Sequence, residues 1–116
     1  MACECWLTPV LPGQEDTARE FATALNGPRR LELVEAEKRL SLTKEAIFLS
    51  QGPTGAVLVF YMEGHDVAAS AQTSAGSENE FDQWYKTMFT KITGLRIGEP
   101  IPPAELLMIY SGSEES

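Results

Sequence analysis

The sequence predicts an α+β domain in which four antiparallel strands form one sheet and the helices pack on one of its faces. Three observations carry that expectation. Behind a GPTG turn, residues 55–62 (GAVLVFYM) put seven apolar or aromatic side chains in a row after Gly55, the pattern of a central strand covered on both faces. Phe81, Trp84, Tyr85, Met88, Phe89 and Ile92 recur at helical spacing behind Ser77 and Glu80, which read as a capping box. The elements follow the order strand, helical region, strand, strand, helix, strand.

The bulk properties set the limits. At 116 residues the chain is a single domain over 1–116, long enough to bury a core without disulfide or metal. Seventeen acidic against nine basic residues give a net charge of −8, which argues against nucleic acid and anionic membrane surfaces as partners. No apolar run approaches the roughly 18 residues of a membrane helix, and no basic region precedes an apolar stretch at the N-terminus, so the expected compartment is the cytoplasm. Cys3 and Cys5, the only cysteines, share one face of a strand about 6.5 Å apart, which disfavours a disulfide between them. A metal site would need further ligands that nothing else in the sequence spaces correctly, so reduced strand cysteines and no cofactor are expected.

In order, residues 3–10 read as the first strand, ended by Pro9 and Pro12. Ala18, Phe21, Ala22 and Leu25 make residues 14–25 an amphipathic helix, stopped by Asn26 and Gly27. Pro28 opens a second helical segment to residue 40, whose apolar stripe of Leu33, Ala36 and Leu40 also includes Glu37, with Arg30 two turns earlier on the same side. Residues 44–51 form the second strand, joined through residues 52–55 to the 55–62 strand as an antiparallel hairpin. Residues 66–77 are weakly helical and rich in small side chains, with the composition of a mobile or loosely packed piece. Gly94 stops the last helix, a Gly- and Pro-rich crossover follows, residues 105–110 (ELLMIY) read as the fourth strand, and 111–116 form a polar, frayed tail.

This order is the split βαβ, ferredoxin-like βαββαβ arrangement, with a four-stranded antiparallel sheet and one face free of helices. The strands carry apolar residues on both parities, so that face needs a cover. A second copy is the simplest one, giving a homodimer of the dimeric α+β-barrel type. The ArgLeuGluLeu stretch in the second helical segment, LysGluAlaIlePheLeu and GlyAlaValLeuValPheTyrMetGlu in the hairpin, and PheAspGlnTrp with ThrGlyLeu in the last helix resemble a family of small, uncharacterised bacterial proteins of that type, over residues 18–110. The resemblance implies no activity of its own; the wider superfamily, with its monooxygenases, haem proteins and mutarotases, implies a pocket between sheet and helices.

Candidate chemistry rests on few residues. His65, the only histidine, is followed by Asp66 and could form an oriented acid/base pair, against the simpler reading of a solvated turn. Glu37 with Arg30 could be a buried pair serving a substrate, joined from the sheet by Glu45 and Tyr61, against a structural ion pair. Tyr61, Trp84 and Tyr85 could stack on a flat ligand, against Trp84 and Tyr85 simply filling the core. Asp82 lies off the helix stripe, as a partner of the helix dipole. No phosphate-loop, nucleophile-elbow, zinc-protease or paired CxxC motif occurs. The site expected from sequence therefore has His65 and Glu37 as catalytic residues and Arg30, Tyr61 and Trp84 as ligand-binding residues. Two functions fit: a homodimer binding a small, fairly apolar molecule, with a cofactor-independent monooxygenase or isomerase among its activities, or a non-enzymatic module whose apolar sheet face serves assembly.

Overall fold

The computed structural model describes residues 2–110 and 112; the rest of the expected polar tail lies outside the described residues. Three strands and four helices follow in the order β1 (Ala2–Pro9), α1 (Glu15–Asn26), α2 (Arg30–Arg39), β2 (Leu42–Gly52), β3 (Gly55–Gly64), α3 (Val67–Gly76) and α4 (Glu80–Thr93). The strands form one antiparallel sheet in the order β1-β3-β2. The all-apolar strand is central, because only a strand with neighbours at both edges and a helix layer above it can bury that much surface.

The four-stranded ferredoxin-like βαββαβ plan is thereby corrected. Residues 105–110 form no strand, and the helical segment at 67–76 is a full helix between β3 and α4. The reason lies in the crossover. Pro100, Pro102 and Pro103 have no N–H to donate, and hydrogen bonds from this stretch to β1 are made at its end, by Ala104 N–H on Cys5 O at 2.6 Å, and by Trp6 Nε1–H on Ile101 O at 3.1 Å. A ladder with β1 therefore does not start along the proline stretch, and residues 105–110, which keep their N–H groups, run exposed instead.

Register sorts the side chains. Trp6 pairs with Phe60 and Ile47 with Phe60, so Glu4, Trp6, Thr8, Glu45, Ile47, Leu49, Leu58, Phe60 and Met62 face the helices. Cys5 and Ala46 pair with Tyr61, and Leu7 and Phe48 with Val59, on the open face. Against the covered face α1 and α4 bring Phe21, fully buried, with Phe81, Tyr85, Phe89 and Ile92. Phe21 meets Tyr85 edge-on at 5.0 Å between centroids, and Phe60 meets Phe89 likewise at 5.4 Å.

The turns follow local chemistry. Pro53 and Thr54 make a two-residue hairpin between paired Gly52 and Gly55. Gly64 ends β3 where a Cβ would stand 2.6 Å from Ser41 O, so no larger residue fits. Gly94, at φ +76°, ends α4 in the left-handed conformation. The capping box expected at Ser77 and Glu80 is replaced by Asn79, whose side chain accepts from the N–H groups of Phe81 and Asp82. The helix begins at Glu80, which puts Ser77 outside it and leaves its hydroxyl to bond Asp82 at 2.7 Å. Asp82 stands in the first turn of α4, where its charge meets the helix dipole as expected, and it is also a buried carboxylate, its side chain 4% exposed and held by Arg39 at 2.9 Å.

Candidate functional site

A cavity of about 280 Å³ lies between the covered face of the sheet and helices α2, α3 and α4, with residues 97–103 along one side. Its walls are mostly apolar: Leu33 and Ala36 from α2, Phe60 and Met62 from β3, Phe81 and Phe89 from α4. The titratable groups that reach it are Glu4, Glu37, Glu45, Asp82, Tyr85 and Glu99, and among the described residues no Lys, Arg or His lines it. An apolar pocket with a few converging polar groups is the usual form of a small-molecule site.

Helical and strand periods bring the polar group together. Glu37 follows Ala36 on the inward stripe of α2, the position that stood out in sequence as an acid among leucines. Glu45 pairs with Met62 across β2 and β3 and so points to the same side as Phe60's neighbours. Tyr85 reaches from α4 and its hydroxyl donates to Glu45 Oε2. Glu37 Oε2 is buried and has no hydrogen-bond partner among the described residues.

The electrostatics follow from that placement. Burial, then the adjacent Glu45 as acceptor and as a negative charge, push the Glu37 carboxyl up to about 9, against a weaker opposite pull from Arg30. At neutral pH it is a neutral acid with a proton to give. Burial first, then the charge and hydrogen bond of Glu45, also raise Tyr85 well above the usual tyrosine range. Two carboxyl groups and a phenol thus stand together in a largely apolar pocket, where their hydrogen bonds are strong. Among the described residues no cluster of three or more His, Cys, Asp or Glu is placed to hold a metal ion.

Of the five residues expected to act on or bind a ligand, Glu37 alone lines this cavity, and Glu45 and Tyr85, weighed beside them, line it too. His65 is exposed beyond the end of β3, and Asp66 turns away from it to cap α3 by accepting from Ala69 N–H at 3.1 Å. Tyr61 lies on the open face, where its hydroxyl donates to Glu63 Oε2 at 2.6 Å, an attachment that raises the phenol. Glu45 and Tyr61 cannot meet, since Glu45 pairs with Met62 and Tyr61 with Ala46, one parity apart. Trp84 packs on Phe21 at 5.4 Å and carries the Arg29 guanidinium 4.5 Å above its ring, on the far side of α4's aromatic stripe. Arg30 is exposed at the start of α2, and it is Arg29 that makes ion pairs, to Glu32 and Glu80. The link that sequence reasoning missed is Glu45 to Tyr85. Both residues were visible as candidates, but nothing in sequence says which face of β2 meets which turn of α4.

Among the described residues no helix is long and apolar enough to cross a membrane. The model of a family described as a family of unknown function (DUF6176) matches residues 1–111, and the chain belongs to that family. No curated protein matches the chain.

Proposed function

We propose that this member of a family of unknown function binds a small, uncharged, largely apolar molecule in the cavity and moves a proton on it, as an isomerase does. The observation that carries the reading is the Glu37 carboxyl, protonated at neutral pH with one buried oxygen unpartnered, set in an apolar cavity beside Glu45 and Tyr85. A buried acid with a second carboxyl group beside it supplies the parts needed to protonate a carbonyl oxygen while taking a proton from the adjacent carbon. Glu37 gives its proton to the oxygen while Glu45 takes one from carbon; Glu45 then returns its proton at another carbon as Glu37 takes back the proton on oxygen, which completes an isomerisation with ligand and protein both restored in protons. No basic side chain lines the cavity among the described residues, so a carboxylate or phosphate on the ligand would find acids and no counter-charge there.

Cyclohexanone tests this as a neutral probe, with benzoate as the anionic control. Amide NMR should show cyclohexanone, and not benzoate, perturbing signals around Glu37 and Tyr85. In D2O the protein should accelerate exchange of the ketone's α-hydrogens, and Glu37→Gln should lower that rate by about 100-fold. Absence of binding, or exchange equal in wild type and Glu37→Gln, overturns the reading.

A further inference from the structure

Leu106, Leu107, Met108, Ile109 and Tyr110 follow one another with 60% to 84% of their surface exposed. Isolated exposed leucines are ordinary; five large apolar side chains in an uninterrupted row are not. The row is tethered at its root, where Ala104 N–H holds Cys5 O and Trp6 Nε1–H holds Ile101 O at the edge of β1. The same chain has an unpartnered apolar surface elsewhere. On the open face of the sheet Leu7 is 59% and Phe48 58% exposed, with Val57, Val59 and Ala46 half-buried around them.

We infer that residues 106–110 form an arm that docks on the open sheet face of a second copy of this chain, the two copies exchanging arms about a two-fold axis. Both halves of the contact are present on one chain, so a two-fold pair satisfies both arms and both faces and leaves neither exposed. Charge points the same way. Each copy carries −8, so two copies must meet where charge is sparse. The arm has no charged residue, and on the open face Lys44 and Glu63 stand together, 4.0 Å apart, toward one end of the strands. The area is sufficient as well. At on the order of 100–150 Å² for each exposed side chain, two arms and the surfaces they cover bury roughly 2,400 Å², within the range of permanent dimers.

Sedimentation equilibrium of the purified full-length chain at micromolar concentration tests the inference. The expected mass is twice 12.7 kDa. The double substitution L107E/I109E, outside the folded body, should weaken the dimer by at least about 100-fold with an unchanged circular dichroism spectrum, and Phe48→Glu on the receiving face should do the same. Leu31→Glu, on an α2 side chain 80% exposed and away from both surfaces, should leave the dimer intact. A wild-type monomer overturns the inference and assigns the arm to a different partner. A dimer that survives L107E/I109E overturns the arm's part in it, even where Phe48→Glu dissociates the pair or fails to fold.

Discussion

Replacing Glu37 by Gln should stabilise the protein at neutral pH, and the gain should vanish in acid. The carboxyl titrates at 4.5 in its ordinary state and at about 9 in the fold, pushed up first by burial and then by Glu45. Between those values the folded chain keeps a proton that the unfolded chain has released. Stability from this group is therefore whole below about pH 4.5, falls as pH rises, and is fully lost above about pH 9. At pH 7 the interval from the ordinary value corresponds to about 3 kcal/mol at the usual energy per pH unit. Partial exposure of the side chain and sharing of the proton with Glu45 reduce that to about 1–2 kcal/mol. Gln has the same size, still donates a hydrogen bond and does not titrate. Urea unfolding followed by circular dichroism from pH 4 to pH 9 should show the variant about 1–2 kcal/mol above wild type at pH 7–8, with the two curves converging at pH 4. Parallel curves, or a variant equally destabilised at both ends, would refute the assignment of a buried neutral acid at this position.

Four further outcomes follow from the packing. Phe21→Ala removes a fully buried ring that touches Trp84 and Tyr85, and chemical denaturation should show a loss of about 3–5 kcal/mol. Asn79→Ala takes away the side chain that caps α4 and should cost about 1 kcal/mol by the same assay. Gly64→Ala drives a methyl group against Ser41 O and should cost about 1–3 kcal/mol, whereas Gly76→Ala, with nothing within 4 Å, should be close to neutral in thermal melts. His65→Ala should change unfolding free energy by less than about 0.5 kcal/mol, while Asp66→Ala next to it should cost about 1 kcal/mol through the lost cap of α3.

Much of the fold was legible because it is set by neighbours in sequence. The 55–62 run makes a strand, the Phe81-to-Ile92 stripe makes a helix, and Gly94 stops it, each through interactions that span a few residues. Glu37 was visible for the same reason, as an acid within a leucine stripe. Asn79 was passed over because Ser77 and Glu80 have the spacing of a capping box, while the helix starts at Glu80 and so takes Asn79 as its cap.

What sequence alone determined was the three strands of the sheet, the helices and which of their faces are apolar, since side-chain period and turn chemistry act locally, but not whether the apolar run at 105–110 is a strand. Tertiary structure alone decided the rest. Register put Glu45 on the helix side and Tyr61 on the open side, the packing of α4 brought Tyr85 to Glu45, and the capping of α3 took Asp66 away from His65. It also decided that residues 105–110, which keep all their N–H groups, run exposed past the Ala104 bond to Cys5 rather than forming a strand on β1. An apolar run shows that surface has to be buried. Only the assembled sheet shows which edges still have hydrogen bonds to offer it.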